Sequence, residues 1–127
     1  MAITSFTTAD AISQGNVVYL TPSGFLGKAI ATNFTQSAAV GIALNSAGSS
    51  NLVSVVGDSV FISSLTLTPG VLQYLSISSS GSLVDYSTWQ TQFNSLVASG
   101  AFLTSVGRAV SSSGISLEIE KPIYVTK

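Results

Sequence analysis

Short runs of alternating apolar and polar residues, separated by Gly, Ser, Asn and Pro, dominate this chain. Residues 115–120 are the clearest example, because Ile115, Leu117 and Ile119 fall on one side of an extended backbone and polar residues on the other. Turn residues at short spacing are typical of short strands joined by tight connections. The pattern predicts an all-β protein with strands at residues 16–21, 38–44, 51–56, 59–64, 72–78, 115–120 and 123–126.

One segment, residues 87–100, has helical spacing instead. Its apolar residues form a single stripe on a helix: Trp89, Phe93, Leu96 and Val97. Ser87 and Gln90 have the spacing of a capping box, and Gly100 stands where a C-cap glycine is favoured. We predict one short helix, inserted at residues 87–99, that carries Trp89 and Phe93 into the core.

Two phrases occur twice along the chain. Residues 15–26 read GNVVYLTPSGFL and residues 70–83 read GVLQYLSISSSGSL, and both contain a Gly, then Tyr-Leu-Thr/Ser, then Ser-Gly-x-Leu. A different phrase also occurs twice and follows the first phrase each time: VGIALNS at 40–46 and VGRAVSS at 106–112. Shared order and spacing favour a duplication over chance similarity among Ser-rich β sequences.

The strand pair that ends each copy aligns without a gap, residues 52–63 on residues 115–126. We therefore predict one domain, residues 1–127, made of two pseudo-repeated halves at 15–63 and 70–126. Two copies are too few for a solenoid. A small β-sandwich or barrel with one short helix is expected instead.

Composition favours a protein that associates with copies of itself. Of its 127 residues 46% are hydrophobic and 7% are charged, the mean hydropathy is +0.55 and the net charge is −1. Ordinary domains are about 25% charged, so little like-charge repulsion keeps these chains apart. We expect a homo-oligomer, and the alternative is a monomer kept in solution by a Ser/Thr-rich surface.

The sequence also argues against two other classes of partner, nucleic acids and membranes. Four Lys and Arg residues cannot neutralise a run of phosphates, so no nucleic-acid partner is expected. Apolar stretches such as residues 38–44 are far shorter than the ~20 residues of a membrane span, so no membrane partner is expected. The N-terminal sequence lacks the basic and long apolar regions of a signal peptide, which favours synthesis in the cytoplasm.

Residues suited to catalysis or metal binding are scarce. The chain has no His and no Cys, so it offers no Ser-His-Asp triad and no imidazole or thiolate ligand. Glu118 and Glu120 lie on one face of a predicted strand, about 7 Å apart, but they point the same way, as on a solvated face. The stretch GFLGKA at 24–29 lacks the spacing of a phosphate loop. We expect no enzyme activity, no cofactor and no metal site.

Taken together, four phrases resemble a known family: G-x-x-x-YL-S, a G-x-L/K-A return, VGIAL…AG…V-x-V…G-x-V and LTPG…YLS…G. They cover residues 15–85 and, through the repeat, 103–126. These phrases resemble small capsid decoration, or cement, proteins of tailed phages. The resemblance implies a β-rich subunit, often a homotrimer, that sits on the outside of the assembled head, contacts the major capsid protein and stabilises the shell.

Similar phrases also occur in phage tail-fibre and tail-spike modules. The alternative function is therefore a tail-fibre or adhesin module that binds a host-surface glycan. Four aromatic residues could form a sugar-stacking platform, although they fit core positions better: Tyr19, Tyr74, Tyr86 and Trp89.

Residues 1–12 precede both copies of the repeat and carry spaced apolar side chains. We predict that they form an N-terminal arm outside the fold, in which Ile3, Phe6 and Ile12 contact the capsid protein or a neighbouring copy by β-strand addition. A frayed terminus is the alternative. A chain that starts near Ser13 is then expected to fold with a nearly unchanged melting temperature.

Overall fold

A computed structural model describes residues 3–58, 60–62, 65–96 and 100–126. In this part of the chain the fold is all-β, as the alternating pattern predicts, with two short helices. The strands are β1 (Ile3–Thr7), β2 (Val17–Leu20), β3 (Leu26–Lys28), β4 (Gly41–Ala43), β5 (Leu52–Val56), β6 (Val60–Phe61), β7 (Leu72–Leu75), β8 (Leu83–Val84), β9 (Gly100–Leu103), β10 (Ser105–Ala109), β11 (Gly114–Leu117) and β12 (Ile123–Thr126). The helices are α1 (Phe34–Ser37) and α2 (Tyr86–Asn94).

Two five-stranded antiparallel sheets have equivalent strand orders, β1-β5-β4-β2-β3 in the first half of the chain and β6-β11-β10-β7-β8 in the second. In each sheet a leading strand precedes a hairpin, and two later strands lie between them. These are β4 and β5 directly after α1, and β10 and β11 after α2 and β9. The two sheets therefore share one strand order. The remaining strands, β9 and β12, pair as a two-stranded ribbon.

The repeated phrases form the same turns and hydrogen bonds in both halves. The Gly15 N–H donates to the Ala43 carbonyl oxygen at 2.9 Å, and the Gly70 N–H donates to the equivalent Ala109 oxygen at 2.7 Å. Glycine is required in these turns because the backbone takes positive φ, which other residues rarely adopt. The four glycines with φ between 78° and 91° are Gly15, Gly24, Gly70 and Gly81.

The strands that end each copy do not align in the predicted register. In β4 and β10, Ile42 and Arg108 occupy equivalent positions of the Val-Gly-x-Ala phrase. Ile42 lies opposite Val56, and Arg108 lies opposite Ser116. Val56 therefore corresponds to Ser116 and not to Ile119, because the loop from β4 to β5 is longer than the loop from β10 to β11.

The prediction that residues 1–12 lie outside the fold is wrong for the described residues. Strand β1 pairs with β5 over its whole length, from Ile3 opposite Val56 to Thr7 opposite Leu52. It is the leading strand of the first sheet, as β6 is of the second. The first half therefore begins at Ile3 rather than at residue 15, and β6 belongs to the second sheet.

The helical segment is shorter than predicted and is not an insertion. Helix α1 lies between β3 and β4, in the place that α2 takes after β8. Helix α2 is capped by Asp85 rather than by Ser87, because the Asp85 carboxylate accepts the Thr88 N–H at 2.8 Å. Gly100 lies in β9 and does not cap the helix, and Val97 falls outside the described residues.

The first sheet closes into a small barrel. After β1, Thr8 forms a parallel bridge with Leu26 of β3, and the Ala9 N–H donates to the Leu26 carbonyl oxygen at 2.7 Å. The closed sheet surrounds its own apolar cluster, against which Phe6, Leu20 and Ala47 also pack. The buried members of this cluster are Ile12, Val18, Leu26, Ala43, Val53 and Val55.

The main core lies where the outer face of the first sheet packs on the second half. It includes Val17, Ile42 and Val56 from the first sheet and Leu75, Val106, Ile115 and Trp89 from the second half. At the position equivalent to buried Ile42, the second sheet has the exposed Arg108, whose Nη1 donates to the Gly70 carbonyl oxygen at 2.6 Å. A charged group at this position favours contact of the outer face of the second sheet with water.

The glycine of the Val-Gly-x-Ala phrase yields a direct test of the repeat. A Cβ on Gly41 would collide with the Val56 carbonyl oxygen, and a Cβ on Gly107 with that of Ser116. Because both neighbours are backbone atoms, Gly41→Ala and Gly107→Ala should each lower the free energy of unfolding by about 1–3 kcal/mol.

Urea denaturation would measure both changes. Gly48→Ala is the control, because its added Cβ would lie 3.6 Å from the nearest atom, and it should stay within about 0.5 kcal/mol of the parent. Equal stability of Gly41→Ala and Gly48→Ala would show that the close approach of the strands is not real.

Candidate interaction surface

The three predicted contact residues have different environments. Ile3 is 54% exposed at the start of β1, and Phe6 is half-buried against the barrel interior. Ile12 is 2% exposed, and its backbone N–H and carbonyl pair with those of Ala47 at 2.9 Å. Ile12 is therefore a core residue and not a contact residue, because its side chain is needed inside the barrel. A partner contact at Ile3 stays a prediction.

The paired carboxylates lie beyond the end of a strand. Strand β11 ends at Leu117, so the predicted strand at 115–120 is too long. Glu118 and Glu120 are both exposed, and their N–H groups donate to the carbonyl oxygens of Val106 and Ser105 at 2.9 and 3.0 Å. Among the residues that the structure describes, no three His, Cys, Asp or Glu side chains are grouped to hold a metal ion.

Residues 24–29 form a turn and strand β3, and their Gly24 has a φ of 86°. The Gly24 N–H donates to the Thr21 carbonyl oxygen at 2.9 Å, which closes the turn. These contacts show that residues 24–29 contain the turn and the second strand of the β2–β3 hairpin. No helix in the described ranges has the length and apolar character to cross a membrane.

Asp85 is the carboxylate with a clear structural role. Hydrogen bonds from Thr88, with a weaker contribution from Ser87, hold the pKa of the Asp85 carboxyl below its usual value. The ionised form therefore stabilises the fold, and this contribution is fully present above the unfolded pKa of about 3.9. It is lost as the pH falls through the lower folded-state pKa.

The variant Asp85→Asn should separate capping from titration, because Asn caps a helix about as well as Asp but carries no titratable carboxyl. We expect the parent protein to be the more stable of the two near neutral pH and to lose that advantage at acid pH. Melting temperatures of both proteins from about pH 6 to pH 2 would show this. Parallel curves over the whole range would contradict it.

An exposed aromatic surface is the most distinctive feature of the exterior. It consists of Phe34, which is 63% exposed, Phe102, which is half-buried, and Tyr124, which is 50% exposed. The ring centroids of Phe34 and Phe102 are 6.0 Å apart, and those of Phe102 and Tyr124 are 5.2 Å apart. Three adjacent rings that face water are typical of a protein–protein contact, where aromatic side chains are enriched.

Three separate elements assemble the aromatic surface. Phe34 begins α1, and Phe102 of β9 lies directly opposite Tyr124 of β12. The Phe102 N–H donates to the Ala31 carbonyl oxygen at 2.9 Å, which fixes the ribbon to the first half. Gly100 leaves room for the Tyr124 ring, since a Cβ there would lie 2.7 Å from the Tyr124 hydroxyl oxygen. The backbone that carries Phe102 and Tyr124 is thus attached to the first half without a partner.

A second group of aromatic rings runs from the surface into the core. Trp89 is 2% exposed, as predicted, and its ring stacks on Phe93 at 5.0 Å and on Tyr86 at 6.1 Å. Phe93 is half-buried rather than largely buried, and Tyr86 is 46% exposed. Tyr74 continues the group, 5.7 Å from Tyr86. This group anchors α2 on the second sheet.

Comparison with known proteins assigns no family. No protein-family model matches the chain, and a search of curated proteins finds no match. A function is therefore inferred from the exposed surface of the fold and from the short phrases that resemble capsid decoration proteins.

Proposed function

We propose that this protein is a structural subunit that decorates the exterior of a tailed-phage capsid and stabilises the shell. It contacts the major capsid protein and its own copies, as a homotrimer, and joins the virion after synthesis in the host cytoplasm. The observation that carries the proposal is the aromatic surface of Phe34, Phe102 and Tyr124. Neither catalysis nor a cofactor has a part in this role.

The energetics of such a surface suit lattice binding. Exposed aromatic rings lose unfavourable contact with water when a partner covers them, and each fully buried side chain of this size contributes about 1.5–3 kcal/mol. A net charge of −1 leaves little long-range repulsion to overcome. Binding through this surface should therefore depend only weakly on salt concentration.

Stabilisation of the shell then follows from mass action. A site formed by neighbouring capsid subunits exists only in the assembled lattice. A protein that binds this site and not the separate subunits shifts the equilibrium toward the assembled state. The two stacked halves suit this role because a core spanning both of them fixes the aromatic surface on a rigid body.

A particle-binding experiment tests the proposal. Capsids assembled without this protein should bind the purified protein and then withstand a higher temperature. The double variant Phe34→Ser/Tyr124→Ser should keep the melting temperature of the isolated protein but bind capsids at least about tenfold more weakly.

Val110→Ser is the matched control, because Val110 is 54% exposed and lies outside the aromatic surface. It should bind as the parent does. Unchanged binding of the double variant would place the docking surface elsewhere. Capsids that neither bind the parent protein nor gain stability from it would refute the proposed function.

The homotrimer has its own measurement. Light scattering at micromolar concentration should give three times the monomer mass, both for the parent protein and for the Val110→Ser control. A monomer both in solution and in capsid density would remove self-association from the proposal but leave the capsid contact.

A further inference from the structure

We propose that a cleft between the second sheet and the β9–β12 ribbon binds a neutral saccharide. The cleft has a volume of about 560 Å³, within the range of roughly 300–1,000 Å³ of small-molecule sites. Its lining residues are Tyr74, Leu103, Ser105, Glu120, Lys121 and Ile123. This site goes beyond the proposed function and does not depend on it.

The cleft and the aromatic surface lie on opposite faces of one ribbon. Consecutive residues of a strand point to opposite sides. Leu103 and Ile123 therefore point away from the face that carries Phe102 and Tyr124. A protein bound to a shell through its aromatic surface would keep the cleft free for a second ligand.

Two cross-strand pairs frame the cleft. They are Leu103 with Ile123 across the ribbon and Tyr74 with Ser105 across the second sheet. Thr104 alone separates the ribbon from the sheet along the chain, and it is fully buried. Its Oγ1 donates to the Ser37 carbonyl oxygen at 3.0 Å. The frame is thus fixed in the core and does not need a ligand to form.

Two exposed side chains of opposite charge stand at the rim, on the segment between β11 and β12. Glu120 is held there because its N–H donates to the Ser105 carbonyl oxygen at 3.0 Å. Its carboxylate only accepts hydrogen bonds, whereas the ammonium group of Lys121 only donates them. Together they carry no net charge, which disfavours both phosphate-rich ligands and cations.

The walls and rim together match a sugar ring. Tyr74 presents an aromatic side chain that packs against Tyr86 at 5.7 Å, and Leu103 and Ile123 add aliphatic surface. A hexose has an apolar C–H face that packs on such surfaces. Its hydroxyl groups both donate and accept, so they can pair with Glu120 and Lys121 at once. A purely apolar ligand would leave the charged groups unused.

An NMR titration of the full chain tests this site with three named probes: maltotriose, a galactose-based trisaccharide and tri-N-acetylglucosamine. At least one should shift amide signals confined to the cleft, including those of Ser105, Lys121 and Ile123. Glu120→Gln and Lys121→Gln should each weaken that binding about tenfold. Glu118→Gln is the control, because Glu118 is an exposed carboxylate on the same segment outside the cleft, and it should bind as the parent does.

Three results would overturn the assignment: no shift with any probe at millimolar concentration, shifts that map outside the cleft, or equal weakening by Glu118→Gln. Tighter binding of a sialylated trisaccharide would reject the neutral class. Capsid stabilisation measured on the same variants keeps the two proposals distinct, since Glu120→Gln should bind capsids as the parent does.

Discussion

A chain that begins at Ser13 should not fold. The deletion removes the strand that pairs with β5 from Ile3 to Thr7 and the segment that closes the first barrel. It also removes Ile12, whose buried side chain fills the barrel interior. The remaining strands would expose both an unpaired edge and an open apolar cluster. The loss should be a large part of the roughly 5–15 kcal/mol by which domains are stable, and we expect it to abolish cooperative unfolding.

Single substitutions separate the roles within this segment. Ile12→Ala should lower the free energy of unfolding by about 2–5 kcal/mol, as for other buried aliphatic residues. Ile3→Ser, at a position that is 54% exposed, should change it by no more than about 0.5 kcal/mol. Urea denaturation would measure both, and circular dichroism would follow the truncated chain. A truncated chain that melts cooperatively at the parent temperature would contradict the barrel.

Trp89→Ala should be the most destabilising single change in the second half. The indole ring is 2% exposed, it stacks between Tyr86 and Phe93, and its Nε1–H donates to the Phe102 carbonyl oxygen at 3.2 Å. Truncation leaves a large cavity and an unpaired carbonyl group. The expected cost is about 3–5 kcal/mol, which corresponds to a fall in melting temperature of roughly 10–20 °C.

Two further variants make this result specific. Trp89→Phe keeps much of the ring volume but loses the hydrogen bond, so it should cost clearly less than Trp89→Ala. Tyr86→Ala removes a ring that is 46% exposed and should also cost less. Thermal unfolding of the three proteins gives the order. A loss below about 1 kcal/mol for Trp89→Ala would mean that α2 is a surface lid.

The alternating pattern could predict seven of the described strands because its signals are local: β2, β4, β5, β6, β7, β11 and β12. It missed β1, β3, β8, β9 and β10. Alternation of apolar and polar residues marks an extended segment wherever it pairs. Turns that need positive φ require glycine, as at Gly15, Gly24, Gly70 and Gly81. The repeated turns can therefore be recognised directly in the sequence. Trp89 was also predictable, since a lone helical stripe must face the core.

The role of β1 could not be predicted in this way. Its partner β5 is distant in sequence, and alternation shows that a segment is extended without showing what it pairs with. The leading strands of the two sheets share no phrase, so Ile3–Thr7 had no visible counterpart in β6. The alignment of Val56 with Ile119 was wrong for a related reason. The pairing of strands in a hairpin is set by the length of the loop and not by the best sequence alignment.

The aromatic surface could not be predicted from the sequence for a similar reason. Phe34, Phe102 and Tyr124 come from α1, β9 and β12 and meet only in the folded chain. Each one fits an ordinary apolar position in its own segment. The exposure of Phe102 and Tyr124 depends on which face of the ribbon packs on the core. Contacts such as the hydrogen bond from the Phe102 N–H to the Ala31 carbonyl oxygen decide this.

Electron microscopy of purified virions tests the central claim most directly. The alternative, a tail-fibre or adhesin module, would carry the same fold at another place on the particle. We expect density for this protein on the outer surface of the head, with Phe34 and Tyr124 against the major capsid protein. Virions that lack it on the head, or carry it only in the tail fibres, would contradict the account.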